Sequence, residues 1–271
     1  MTRLLLPKLS ELITCDEKEV QMNALKALSY VCDGDLDRLW AFLECGALPR
    51  VVQLLSSPHM EEVMMPALRI VGGLVNGDDL TTQGTLPRVL PLMNNFWRAV
   101  RKEACWMVSN VCAGTPGQIQ MVFDCNLFPA LIHQLTQGEP DVQREACWAL
   151  SNATSFGTQQ HIYDLVRLGV VAPLKNVLES PTWDARVPIV ALEGLTNILS
   201  KALPPGMPES ADPNYYLNIM ELAGVPDAVA AALDTSNDQL YGAAEHFMAR
   251  FFPSFAIYDP YDLSPREEAD D

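Results

Sequence analysis

Two segments of this 271-residue chain share one pattern, Glu-Ala-Cys-Trp followed by two apolar residues and Ser-Asn. They span residues 103–110 and 145–152, and they begin 42 residues apart. On a helix, the Glu, Trp and Asn at positions i, i+3 and i+7 share one face. The indole can hold a Lys or Arg side chain, the carboxylate can pair with its cation, and the amide can bond an extended backbone. The pattern therefore predicts a surface that grips an extended basic peptide.

The alternative for a single Trp is a place in the hydrophobic core, where it supplies volume. Core packing does not require an Asn at a fixed distance from the Trp. Two identical copies of the motif, one repeat period apart, therefore favour the binding surface. The predicted contacts are Trp106, Asn110, Trp148, Asn152, Glu103 and Glu145.

Weaker copies of the same helix occur elsewhere in the chain, and a degenerate copy occupies residues 241–248. If the ends of the clearer copies are equivalent, the steps between them are 43, 37, 42 and 45 residues; these ends are Tyr30, Gly73, Asn110, Asn152 and Asn197. Periods of roughly 40–47 residues are typical of armadillo and HEAT arrays.

Shorter amphipathic segments, separated by Gly or Pro, lie between these helices, so each unit reads as short, short and long helix. The sequence predicts an all-α, right-handed solenoid of about six repeats over residues 1–253. The approximate repeats are 1–34, 35–77, 78–114, 115–156, 157–202 and 214–253, with a Pro-rich insert at 203–213 and an acidic tail at 254–271. The third repeat is short because its first helix is nearly absent.

Composition narrows the function classes. A net charge of −16 works against nucleic-acid binding and favours a cationic partner whose attraction weakens with salt. No apolar run of about 18 residues predicts a membrane span. The 7 cysteines include no Cys-x-x-Cys pair, which favours reduced thiols in the cytosol or nucleus, serving as small core residues. The acidic tail is interpreted as a solvated segment.

An enzyme is not expected. The 4 histidines have no metal-ligand spacing to cysteines or carboxylates, and neither a nucleophile elbow nor a phosphate-binding loop occurs. We therefore expect no catalytic residue, no metal site and no cofactor.

The repeated motif and two loops make the chain similar to the importin-α (karyopherin-α) family. These loops are Ala-Gly-Thr-Pro-Gly-Gln-Ile-Gln at 113–120 and Asn-Ala-Thr-Ser-Phe-Gly-Thr at 152–158. The likeness covers residues 4–252, is strongest over 67–178, and resembles only the C-terminal six or so armadillo repeats. It implies a nuclear transport adaptor, in the cytoplasm and nucleus, that binds proteins carrying Lys/Arg-rich nuclear localisation signals in an acidic concave groove.

The resemblance further implies that the groove is the family's minor site. Val75, Gly77 and Thr82, with Asn110, match the pocket for a deeply bound Lys. Ser109, Glu145 and Trp148 match the next position, flanked by Trp106, Glu103 and Asn152. Arg69 occupies the helix position that Trp fills elsewhere, and Asn197 ends the following long helix.

The sequence departs from the family pattern at several positions near these assigned site residues. Lys26 replaces a Trp, Gly73 replaces the Asn of its helix, and the short third repeat lies beside Thr82. Neither the importin-β-binding segment nor the major signal-binding site of the family has a match, so importin-β binding is not expected from this chain. A recycling exportin at the last repeats is a fold-level expectation.

Two alternatives stay open. One is a non-transport armadillo scaffold of the catenin sort, whose groove is basic and takes acidic peptides. The carboxylates of Glu103 and Glu145 argue against it. The other is a truncated or fragmentary importin-α paralogue, whose uncapped end would expose apolar surface.

Overall fold

The computed structural model describes residues 2–33, 36–56, 61–74, 84–180, 183–184, 186–203, 206–208 and 211–253. Over these ranges the regular structure is helical and contains no strand, which confirms the all-α prediction. The predicted acidic tail lies outside the described residues. No helix in the described part is both long enough and apolar enough to cross a membrane.

Long and short helices alternate along the chain. The long ones are α2 (Lys18–Cys32), α5 (Glu61–Leu74), α7 (Arg98–Cys112), α10 (Pro140–Phe156), α13 (Arg186–Leu199) and α16 (Asp238–Phe251). The shorter ones are α1 (Thr2–Leu12), α3 (Leu36–Glu44), α4 (Leu48–Leu54), α6 (Val89–Met93), α8 (Pro116–Asp124), α9 (Phe128–Gln137), α11 (Gln159–Arg167), α12 (Val171–Glu179), α14 (Tyr215–Leu222) and α15 (Val225–Ala231). The described ranges also contain two 3₁₀ turns, at Leu86–Arg88 and Ala232–Asp234.

The corner between two short helices has a left-handed backbone in several units. Gly46, Gly169 and Gly224 have φ angles of 74°, 87° and 74°, and Asn126 has a φ of 55° at the corresponding corner between α8 and α9. A side chain at positive φ crowds the following carbonyl, so Gly is favoured there and Asn is the common substitute. These residues stop one short helix and redirect the chain into the next.

Matching caps begin the first helix of two neighbouring units. The hydroxyl of Thr115 accepts from the backbone N–H of Gln118, and Thr158 does the same for His161. The imidazole Nδ1 of His161 returns the bond by accepting from the backbone N–H of Thr158 at 3.2 Å, and Nε2 lies 3.0 Å from Oε1 of Gln120. Burial lowers the pKa of His161, which favours the neutral ring that this cap requires.

The long helices form the spine of the fold, because each packs against the next along the chain: α2 on α5, α5 on α7, α7 on α10, α10 on α13 and α13 on α16. An amphipathic helix cannot bury its apolar stripe alone, so stacking produces one continuous core. Cys105 and Cys147 occupy the same buried position on α7 and α10, and burial raises the pKa of each thiol to about 12. They are small core residues, as predicted.

The start of the predicted third repeat, residues 78–83, lies outside the described residues. A 3₁₀ turn and α6 precede α7, and no longer helix occurs between residue 84 and α7. We retain the six-repeat division as a proposal. Each proposed repeat closes within a few residues of the end of a long helix.

We predict that Gly169→Ala destabilises the fold by about 1–2 kcal/mol, because the added Cβ is strained at a φ of 87°. Gly242→Ala is the matched control, since Gly242 lies within α16 and its added Cβ meets nothing within 4 Å. Helix propensity favours Ala there by about 0.5–1 kcal/mol. Urea unfolding followed by circular dichroism measures both. Equal midpoints for the two variants would contradict the left-handed corner.

Candidate peptide-binding groove

One position on each long helix from α2 to α13 defines a continuous surface, which we call the ladder face. It lies one helical turn before the equivalent residues Tyr30, Gly73, Asn110, Asn152 and Asn197. The ladder face consists of Lys26, Arg69, Trp106, Trp148 and Glu193. The two Trp side chains are half-buried and the three charged side chains are exposed. One part of each indole therefore packs against the hydrophobic core, and the other part is accessible to solvent.

Trp106 is anchored on the preceding helix at Gly72. A Cβ built on Gly72 would lie 2.4 Å from Cζ3 of the Trp106 ring, so only Gly leaves room for the indole at this point. The neighbouring Gly73 is different, because its added Cβ would meet only the Cys32 carbonyl oxygen, at 3.7 Å. Gly72 therefore permits the close approach that places Trp106.

The Asn residues of the two motifs clamp successive long helices together. Nδ2 of Asn110 donates to the carbonyl oxygen of Gly72 at 3.0 Å, and Nδ2 of Asn152 donates to that of Ser109 at 3.0 Å. Ser109 and Gly72 are equivalent positions, so the two clamps are repeats of one interaction. Each clamp uses one amide N–H and leaves the second N–H and Oδ1 without a partner among the described residues.

Asn197 makes a different clamp. Its Nδ2 donates to the hydroxyls of Ser155 at 2.8 Å and Thr154 at 3.2 Å, one turn beyond the equivalent carbonyl of Ser151. That carbonyl already accepts from both hydroxyls, at 2.7 Å from Thr154 and 3.0 Å from Ser155. The third clamp therefore passes through side chains, and Asn197 does not repeat the geometry of Asn110 and Asn152.

Ser109 supports the groove from below. Its side chain is buried, and its hydroxyl donates to the carbonyl oxygen of Trp106 at 2.7 Å. Its own carbonyl receives the Asn152 clamp. Ser109 thus contributes to the groove through its backbone carbonyl, which holds the side chain of Asn152 in place.

The two motif carboxylates, identical in sequence context, have different environments. Glu103 is buried, and its Oε1 lies 2.8 Å from Nε of Arg69. Hydrogen bonding to Glu103 raises the pKa of Arg69 further above its ordinary value. Glu103 is therefore paired within the protein, whereas the sequence pattern had suggested pairing with a bound cation.

Glu145 is only partly buried, and no direct ion pair holds it within the described part of the chain. Burial raises its pKa, with Lys102 and Arg144 acting in the opposite direction. A partly desolvated carboxylate without a partner is stabilised by a cation that arrives beside it. Of the two motif carboxylates, Glu145 is the one available to a ligand.

Three residues of the predicted pocket for a deeply bound Lys fall outside the described part of the chain. Val75, Gly77 and Thr82 all lie in 75–83, outside the described residues. Asn110, the fourth member of that set, is placed by its clamp on Gly72.

Sequence reasoning missed Glu193, which takes the Trp position on α13. It lines a groove of about 630 Å³ together with Trp148. The signal was present, because Glu193 precedes Asn197 by the same offset that separates Trp148 from Asn152.

Comparison with known proteins agrees with the fold and the repeats. A family model of the armadillo/beta-catenin-like repeat matches residues 115–155. A designed armadillo repeat protein in complex with the peptide (KR)4 superposes with a TM-score of 0.79 at 24% identity, covering 91% of this chain and 99% of that one. Computationally designed armadillo repeat proteins for modular peptide recognition give a TM-score of 0.78 at 23% identity, with coverages of 91% and 99%. These structures establish the armadillo fold.

Curated relatives identify the family. Importin subunit alpha-1b of Oryza sativa subsp. japonica is 38% identical over 253 residues, which are 91% of this chain and 47% of that protein. Importin subunit alpha-4 of Arabidopsis thaliana is 38% identical over 254 residues, with coverages of 91% and 47%. The chain spans about half the length of these relatives, and this partial coverage fits the C-terminal repeats. On this sequence similarity and on its armadillo fold, the chain belongs to the importin-α family.

Proposed function

We propose that the chain acts as a nuclear transport adaptor that binds Lys/Arg-rich nuclear localisation peptides along its ladder face, in the cytoplasm and nucleus. The observation that carries the proposal is the pair of Trp residues, Trp106 and Trp148, held on adjacent helices with matching Asn clamps. The importin-α relatives and the designed armadillo protein bound to (KR)4 support the same ligand class.

Each part of the groove has a separate role in this proposal. The indole faces take the aliphatic stems and cationic ends of Lys or Arg, at about 0.5–2 kcal/mol each. The unused amide groups of Asn110 and Asn152 bond the extended peptide backbone. Glu145 pairs with a peptide cation. Arg69 keeps Glu103 neutralised, and so concentrates the available negative charge near Trp148.

The remaining assignments are proposals of the same kind. Val75, Gly77 and Thr82 hold a deeply bound Lys with Asn110, and Ser109 shapes the floor of the groove. Asn197 continues the groove onto α13. A recycling exportin would use the last repeats.

The direct test is titration of a short Lys/Arg-rich nuclear localisation peptide, followed by fluorescence anisotropy at low and physiological salt. We expect salt-sensitive binding to the unmodified chain, because charge attraction between a basic peptide and an acidic protein is screened by ions. Trp148→Ala should weaken binding by roughly tenfold or more, since both the cation–π contact and the stem packing are lost.

Circular dichroism provides the control for that experiment, because Trp148→Ala should leave the helix content unchanged. Tight binding by the correctly folded Trp148→Ala variant would show that the peptide does not use the ladder face. Absence of binding by the unmodified, folded chain would favour the scaffold alternative.

Glu145→Gln should weaken peptide binding by a few-fold at low salt, and by less as the salt concentration rises. Glu221→Gln is the matched control: it removes the same charge from the exposed surface of the short helix α14. The same titration compares the two variants. An equal loss in both would assign the effect to net charge and remove Glu145 from the groove.

Gly72→Ala should displace the Trp106 ring, because the added Cβ would lie 2.4 Å from it. Overpacking of this kind costs about 1–3 kcal/mol of unfolding free energy, and we expect weaker peptide binding as well. Gly73→Ala, with its nearest atom at 3.7 Å, should preserve both properties. Denaturant unfolding and peptide titration measure the pair. Identical behaviour of the two variants would refute the anchoring of Trp106 on Gly72.

A further inference from the structure

Beyond Trp148 the ladder face continues onto α13, where a groove of about 630 Å³ lies between α10, α13 and the start of α16. Its lining includes Trp148, Ile189, Glu193 and Asn237. Position by position, Glu193 stands where Trp106 and Trp148 stand on the two preceding long helices. Next to the position between Trp106 and Trp148 there is therefore a second compartment, in which the carboxylate of Glu193 replaces one indole.

Two other polar side chains of this compartment are already engaged, and the side chains of Arg186 and Gln239 line it as well. Asp184 pairs with Arg144 at 3.5 Å, and it accepts from the backbone N–H of Arg186 at 3.2 Å. Oδ1 of Asn237 caps α16 by accepting from the backbone N–H groups of Gln239 and Leu240. These contacts leave Glu193 as the carboxylate of the compartment without a partner in the described ranges.

The environment of Glu193 favours a cation with an apolar stem. The side chain is exposed, yet partial burial of its carboxyl raises the pKa, so a cation beside it would stabilise the charged form. Arg186 lines the same groove but makes no ion pair with Glu193 in the described structure. Half-buried Ile189 and the ring of Trp148 supply apolar surface against which a methylene chain can lie.

We propose that Glu193, Trp148 and Ile189 form an additional subsite that takes one further Lys or Arg of the bound peptide, next to the residue held at Trp148. This inference rests on the proposed function and deepens it by extending the recognised peptide. The position between Trp106 and Trp148 has two aromatic walls, whereas this subsite has one aromatic wall and one carboxylate. The subsite therefore selects its residue mainly by charge.

Extended peptides test the subsite on the full chain. In an extended backbone, side chains two residues apart lie on the same face. One peptide therefore has Lys-Ala added before the N-terminus of a Lys/Arg core, and another has Ala-Lys added after its C-terminus. The reference peptides have Ala-Ala in the same place. With the unmodified protein, we expect the Lys at one end, and not at the other, to tighten binding by about 3- to 10-fold over Ala.

Glu193→Gln should abolish that preference for Lys while leaving the core peptide bound, and Glu221→Gln should keep the preference intact. A Lys-to-Ala ratio that is the same in Glu193→Gln and in the unmodified protein would overturn the subsite. If the core peptide binds, and Trp148→Ala weakens it, that result leaves the proposed function standing. If no peptide binds the unmodified chain, the proposed function and the subsite fall together.

Discussion

The close apposition of successive long helices is the constraint on which the rest of the structure depends. Gly72 leaves room for the ring of Trp106, and its carbonyl oxygen accepts from Asn110, so one residue positions both the Trp and the Asn of the first motif. Asn152 repeats the clamp on Ser109. These contacts add to the apolar packing of successive long helices, and they fix where the indole of Trp106 and the two amides lie.

The charges along the ladder face change in sign from one end to the other. Lys26 and Arg69 line a groove of about 370 Å³ at the α2–α5 end, the two Trp residues occupy the middle, and Glu193 lies at the α13 end. Lys26 repels a basic peptide at the first end, where Glu62 also lines the groove, and Glu193 attracts it at the last. Internal pairing of Arg69 with Glu103 cancels one charge of each sign, and it leaves Glu145 as the available carboxylate of the two motifs.

The fold and the Trp–Asn pairs were predictable because the helical period and the repeat spacing can be read directly from the sequence. Trp106 and Asn110 lie one turn apart on one helix, and Trp148 and Asn152 do so on the next, whatever surrounds them. The Arg69–Glu103 pair was not predictable in this way, because its partners are 34 residues apart and meet only through the packing of α5 on α7. For the same reason, identical motifs gave no sign that Glu103 and Glu145 would differ.

The most direct measurement is a crystal structure of the chain with a Lys/Arg-rich peptide bound. We predict an extended peptide along the ladder face, with basic side chains against Trp106 and Trp148 and its backbone bonded to the side-chain amides of Asn110 and Asn152. A peptide bound to the short helices, with the indoles left uncovered, would contradict this prediction.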